Sequence, residues 1–372
     1  IIVIFMGDID WYIKVGLIAI PAVIYFLMLL PCKFPIQERQ AAGVSDKEML
    51  SEFGILGAIV VGFLITLQLI DFAGSGGSEV TQFQKNIFIG IGTAIVVAFG
   101  FYTKSLGNKF LFFLVIIMMP LAITEIGTDG WIEGIMKGVA KGKFHAGWVL
   151  VYTSAIMMVL RFYAGPIVHK FQPLPLLAIS SVFAIIGLYT LSFTEGMVIF
   201  AAATLYGIGK TFFWPTMLGV VSEQTPKGGA LTLNAMGGIG MLAVGTLGFP
   251  YIGSLQAGKQ IDAIVENEAL IAKAPSLKDK SFTTSKSIYE VIKYDAIDDG
   301  LLKKSLSNDI KDAKNLKSAE EDISKIKGRS TQGALADMII FPVFMLICYL
   351  ALIFYFKGRG GYKPIELEES NS

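Results

Sequence analysis

Three carboxylates, Glu125, Asp129 and Glu133, recur at i, i+4 and i+8 in an otherwise apolar stretch, and on a helix they share one stripe. A charge at mid-bilayer costs at least about 2.5 to 3.5 kcal/mol, so such residues persist mainly where they line a wet cavity or find a partner. The chemistry open to them is the uptake and release of a proton, or hydrogen bonding to a polar solute. Thr128 and Trp131 fall in the same run, Thr124-Glu-Ile-Gly-Thr-Asp-Gly-Trp131, whose Gly127 and Gly130 would loosen the helix and bare its backbone polar groups. A second charge, Lys210, sits in Tyr206-Gly-Ile-Gly-Lys-Thr-Phe-Phe-Trp-Pro215, where Pro215 removes a helix hydrogen bond close by. Trp214 could stack on a flat polar solute, and Asn234 is a weaker candidate further on. Each has a plainer alternative: the acids at a hydrated interface, Glu133 above all, the lysine snorkelling or in a structural ion pair, and the tryptophan in an aromatic belt.

Other chemistries are excluded. The two histidines, His145 and His169, bracket one apolar run, and about 24 residues at 1.5 Å each place them on opposite faces of a membrane. They cannot form a dyad or share a metal. Cys32 and Cys348 have no metal-ligand spacing and read as small buried hydrophobes. Gly237, Gly238 and Gly240 lie inside an apolar helix with no preceding strand and no following lysine, which fits close helix packing and not a phosphate loop. The expectation is a protein that is not an enzyme and uses no cofactor or metal. With a net charge of +1 there is no basic field for nucleic acid.

The elements that must position these residues are membrane spans. Hydrophobic residues make up 53% of the 372 and charged ones 16%, against about 25% charged in a soluble domain. Of the 61 acidic and basic residues, 27 fall between Ala257 and Gly333, which leaves the remainder oily enough for lipid. Runs long enough to cross a bilayer cover Tyr12 to Pro31, Phe53 to Ile70, Ile87 to Thr103, Phe110 to Met136, Ala146 to Tyr163, Leu174 to Phe193, Gly196 to Val221, Ala230 to Leu255 and Ala334 to Phe356. The expected fold is therefore an all-α integral membrane bundle of about nine helices. Lys and Arg crowd one set of alternate connections, including Lys33, Arg39, Lys104, Arg161, Lys170, Lys227 and Lys357, which the positive-inside rule makes cytoplasmic. Residues 257–333 then lie outside. There Ile261, Ile264, Val265 and Ile271 recur at helical spacing, as do Ile288, Val291 and Ile292 after a candidate cap at Ser287, predicting two or three amphipathic helices or else a solvated insert. The chain opens on Ile in an apolar run with no signal-peptide features, and is expected to be a fragment.

Two connections carry a resemblance. Arg161-Phe-Tyr-Ala-Gly165-Pro-Ile-Val-His169-Lys170 is similar to the Gly-x-Leu-x-Asp-Arg-x-Gly-Arg cytoplasmic loop of the major facilitator superfamily, with Gly165, Ile167 and Lys170 in matching places. It departs at His169, where the family has Asp, and at Gln172 and Pro173. Ser222-Glu223-Gln-Thr-Pro226-Lys227-Gly228-Gly229 resembles the acidic, proline, basic, glycine element between the family's tenth and eleventh helices. The resemblance covers about two thirds of the chain and implies this plan: residues 1–31 the last helix of an incomplete N-terminal half; 32–52 a cytoplasmic connection; 53–103 an extra helix pair, as in fourteen-helix members; 104–256 helices seven to eleven; 257–333 the outer insert; 334–356 helix twelve; 357–372 a cytoplasmic tail. The family's seventh and tenth helices line its substrate cavity, and here they hold Glu125, Asp129, Lys210 and Trp214. The implied protein is a proton- or sodium-coupled carrier of a small polar solute such as a sugar, a multi-pass protein of a bacterial inner (plasma) membrane. Arg161, Gly165, His169, Lys170 and Glu223 would form its cytoplasmic gate, with Arg161 and Lys170 reaching a helix end or a carboxylate such as Glu223. The alternatives are a receptor or scaffold that binds through the insert, or a peptide or drug carrier of the same superfamily.

Overall fold

The computed structural model describes residues 9–74, 80–140 and 144–367. Eight helical stretches among them are long and apolar enough to cross a membrane, and two further helices that meet at a 71° bend are so when taken together. The chain is an α-helical multi-pass membrane protein. In chain order the membrane helices are α1 (Trp11–Leu29), α2 (Asp46–Gly74), α3 (Gln82–Thr103), α4 (Lys109–Lys137), α5 (Trp148–Phe162), α6 (Ala164–Phe171), α7 (Pro173–Leu191), α8 (Gly196–Gln224) and α9 (Pro226–Val265). The insert contributes α10 (Glu268–Lys273), β1 (Thr283–Ile288), β2 (Ile292–Ile297), α11 (Asp299–Asp309) and α12 (Ala313–Ser330), and α13 (Ile340–Lys357) closes the bundle. Two of these helices sharpen the sequence-based boundaries. The segment Arg161 to Lys170, read as a connection, is mostly helical, because α6 continues α5 around the bend. Helix α9 runs on to Val265 and carries the chain out of the bundle into the insert without a break at residue 256.

Breaks in the helices have identifiable causes. In α2, Gly54 has φ +57°, and a Cβ there would lie 2.2 Å from the Gly107 nitrogen, so both the backbone angle and the close approach demand glycine. The amides freed by that kink are satisfied by the connection that follows α3, Ile55 N donating to Ser105 O at 2.9 Å and Leu56 N to Leu106 O at 3.0 Å. In α8, Pro215 has no N–H for the Thr211 carbonyl, and the helix breaks at Phe212 into Ile199–Thr211 and Phe213–Gln224. Wide π turns interrupt α4 at Ile123–Gly127 and α9 at Val244–Gly248, and the two turns pack on each other.

Buried apolar residues of α2, α4, α7, α8, α9 and α13 form one continuous core. Small residues bring α7 and α8 together: a Cβ on Gly209 would sit 2.5 Å from the Ala184 nitrogen, and one on Gly187 2.5 Å from the Tyr206 backbone. Helix α1 contributes nothing to this core; none of its residues is buried.

The insert folds around a second core, in which Ile261 and Ile264 from the end of α9 meet Leu270, Leu277, Phe282, Leu302, Leu306 and Ile323. The helical expectation for Ile261 to Ile271 agrees with α9 and α10. The one for Ser287 to Ile292 does not: Ile288 and Ile292 face each other across an antiparallel hairpin. Spacing of i, i+3 and i+4 is shared by a helix and by the two sides of a tight turn, and the β-branched residues flanking it favour strand. The turn places two non-glycine residues, Tyr289 (φ +51°) and Glu290 (φ +62°), in the left-handed region, where Asn-Gly is usual. Holding them there costs about 1 kcal/mol or more each.

Candidate functional site

Four charges from three helices meet in the middle of the bundle. Glu125 lies in the π turn of α4 and Asp129 one turn on, while Lys210 lies just before the break in α8 and Arg161 at the last turn of α5. The Lys210 ammonium donates to the Asp129 carboxylate, and Arg161 Nη2 donates to Glu125 Oε1 at 3.1 Å. The Lys210 side chain is fully buried and that of Glu125 is 8% exposed; those of Asp129 and Arg161 reach 24% and 41%. Each ion pair is thus a buried group held by a more exposed one. Asp129 and Arg161, with Ser154, Met157, Met158 and Phe162 of α5, line a cavity of about 530 Å³ beside both pairs.

The helix irregularities serve the same site. The Thr211 carbonyl that Pro215 leaves without a donor accepts from Arg161 Nε at 3.1 Å, so one guanidinium ties α5 both to the break in α8 and to the carboxylate of α4. The Tyr206 hydroxyl donates to the Thr124 carbonyl in the π turn of α4. Its ring also lies under the Lys210 ammonium, 5.2 Å from the centroid, a cation–π contact that shares the charge buried there. Glu125 keeps one oxygen, Oε2, buried and without a hydrogen-bond partner among the described residues. That vacancy can take a proton, or a hydroxyl from a solute.

The structure brings Glu125, Asp129 and Lys210 close together, with Thr128 fully buried on the same turn, and of the three only Asp129 lines the 530 Å³ cavity. It places the remaining candidates elsewhere. Trp214 fills the seam between α8 and α9, where a Cβ on Gly240 would come within 2.9 Å of its indole, and it packs against the core. Trp131 stands edge-on to Phe249 at 6.5 Å. Asn234 is exposed on α9. Glu133 lies at the insert end of α4, half-exposed and 4.0 Å from His145.

The gate residues also divide. Arg161 reaches Glu125 and not Glu223, because its guanidinium lies beside the carbonyl freed by Pro215 and a buried carboxylate, and both call for a donor. Lys170 lies over the ring of Phe171 at 5.7 Å, His169 is exposed beside it, and Gly165 has open space around its Cα. Glu223 is held by the C-terminal tail: its carboxylate accepts from the Tyr362 hydroxyl at 2.6 Å and its carbonyl from Ile365 N at 2.8 Å, while Gln224 donates to the Lys363 carbonyl. Burial and the Glu223 charge push the Tyr362 phenol above its ordinary range. Arg39, from the connection after α1, is buried against Gly229 and pairs with Asp46 at 3.0 Å. The sequence signals that could have placed Arg161 were Pro215, four residues after Thr211, and the length of the arginine side chain.

No protein family, no curated protein and no solved structure matches this chain.

Proposed function

We propose that the chain carries the cavity-lining helices of a secondary transporter of major-facilitator type, which moves a small polar solute such as a sugar by alternating access, coupled to protons. The observation that supports this most is the pair of buried ion pairs, Glu125 with Arg161 and Asp129 with Lys210, which link α4 to two other helices at the points where α4 and α8 are broken. Intramembrane charges at interrupted helices are the usual construction of a translocation site. A proton delivered through the 530 Å³ cavity to either carboxylate ends that ion pair. It thereby releases α4 from α5 or from α8, and the helices can shift against each other. The freed guanidinium or ammonium then has donors to offer a solute hydroxyl, and Glu125 Oε2 offers an acceptor.

The test uses full-length protein in vesicles, after a panel of labelled monosaccharides has identified a solute. Glu125→Gln and Asp129→Asn are assayed for uptake driven by a proton gradient and for exchange between equal pools. The expected result is that at least one variant loses driven uptake and keeps exchange, because exchange needs no net proton movement. Full gradient-driven accumulation by both variants would remove the coupling role from this site, and driven uptake that follows a sodium gradient instead would replace the proton with sodium.

A receptor or scaffold is a second reading, favoured by the insert having its own apolar core. It is distinguished by the reverse pattern: function intact in Glu125→Gln and lost when residues 268–330 are replaced by a Gly/Ser linker.

A further inference from the structure

A second cavity lies away from the four charges, at the end of the bundle that bears the insert. It measures about 1460 Å³ and is walled by Phe63, Leu67, Ile89, Ile123, Leu247 and Phe344, from α2, α3, α4, α9 and α13. Its mouth is polar: Asp71, Gln82 and Lys85 on the α2–α3 side, and Tyr289 and Glu290 at the hairpin tip. Lys85 and Glu290 form an ion pair across that mouth. Tyr289 lines the site as well, and its hydroxyl oxygen is buried and without a hydrogen-bond partner among the described residues. These two hairpin residues are also the ones held in the left-handed region. A turn that accepts backbone strain to hold a tyrosine and a glutamate at one spot points to a ligand there.

We propose that this cavity holds a membrane phospholipid with an ammonium-bearing headgroup, its acyl chains between α2, α3, α4, α9 and α13 and its head against the hairpin tip. Size separates a lipid from a smaller guest, because drug-sized sites occupy about 300 to 1,000 Å³. The apolar walls belong to helices that cross the bilayer, so acyl chains can enter from the membrane. Charge selects the head. Among the described residues the mouth carries two carboxylates, Asp71 and Glu290, and one ammonium, Lys85, which suits a zwitterion whose ammonium faces the carboxylates and whose phosphate takes a donor from Lys85. An anionic head with no amine would meet two like charges. The inference does not depend on the polar centre moving a solute.

The experiment places a tryptophan on the cavity wall, Phe344→Trp, in full-length protein reconstituted in vesicles, and measures quenching by lipids with brominated chains. A second reporter, Ile347→Trp, sits on the exposed face of α13 and reads ordinary surrounding lipid. Brominated phosphatidylethanolamine is expected to half-quench the Phe344→Trp signal at a mole fraction at least threefold below that needed by brominated phosphatidylglycerol, with no such difference at Ile347→Trp. Asp71→Lys should narrow or reverse the preference, and Asp71→Asn, which keeps the side chain's shape, should weaken it. Equal quenching by the two lipids at Phe344→Trp would overturn the headgroup assignment. Quenching there no stronger than at Ile347→Trp would overturn the site itself. Displacement of the lipid by micromolar tetraphenylphosphonium would assign the cavity to a drug-sized cation instead.

Discussion

Ile123 and Glu125 stand two residues apart in the π turn of α4, and they face regions of opposite character. On one side Glu125 and Asp129 meet Arg161 and Lys210 beside a small cleft. On the other Ile123, Met119 and Pro120 help to wall a space nearly three times larger that is apolar except at its mouth. The polar side joins helices by charges that were costly to desolvate, so its stability depends on both members of each pair staying in place. The apolar side leaves its helices a gap apart, bridged at the rim by Lys85 and Glu290. A single helix therefore separates a region held together by buried charge from a region walled by apolar side chains.

The largest effect that would break this contrast is the loss of one buried cation. Lys210→Met leaves Asp129 facing apolar surroundings and should destabilise the bundle by about 3 kcal/mol, the low end of the range for breaking a buried pair because Asp129 keeps some contact with water. Unfolding of the purified protein in mixed micelles would show it, and the double variant with Asp129→Leu should recover most of the loss. A double variant as unstable as Lys210→Met would mean that Lys210 contributes by packing on Tyr206 and not by charge. Of similar or slightly smaller size, Phe282→Ala should cost about 3 kcal/mol, but in the insert alone, since Phe282 is fully buried in the separate core. Proteolysis should then cut the insert while the membrane helices stay intact. Loss of both together would show that the two cores unfold as one.

Much of the bundle was legible in the sequence because a bilayer sets length and composition so strictly. Nine apolar runs of the right size correspond to eight long helices and one bent pair. The meeting of Asp129 with Lys210 was legible for the same reason, since two opposite charges in oily helices lower each other's cost. Arg161 was not, because a basic residue at the end of an apolar run looks like any other cytoplasmic anchor. Its role depends on Pro215, fifty-four residues later, having freed a carbonyl that only the folded bundle brings near. The hairpin escaped because Tyr289-Glu290 lacks the Asn-Gly signature of its own turn, and the apolar cavity because no local pattern encodes a gap between five helices. Trp214 shows the converse: an aromatic next to a proline reads as a binding group, yet the absent side chain of Gly240 is what makes room for it.

The smallest expected effect tests how the hairpin is attached to the apolar side. The Lys85 ammonium, by hydrogen bond and by charge, holds Glu290 below the usual carboxylate range. A carboxylate lowered in this way adds stability that is present above its unfolded value, near 4.3, and is lost as pH falls through the lowered one. The clasp should therefore be closed at neutral pH and open progressively below about pH 4, while Tyr289, pushed up to about 12 by burial and by Asp71, stays neutral throughout. Glu290 is exposed, so salt should weaken the pair as well. Spin labels at Lys286→Cys and Phe83→Cys, both exposed positions, would report the hairpin-to-α3 distance in the full-length protein. The distribution should broaden at pH 3 and in high salt, and in Glu290→Gln it should already be broad at pH 7 and insensitive to both. A distribution that stays narrow in Glu290→Gln would assign the attachment to the apolar contacts of Ile288 and Ile292, and the mouth of the cavity would then be fixed and not gated by charge.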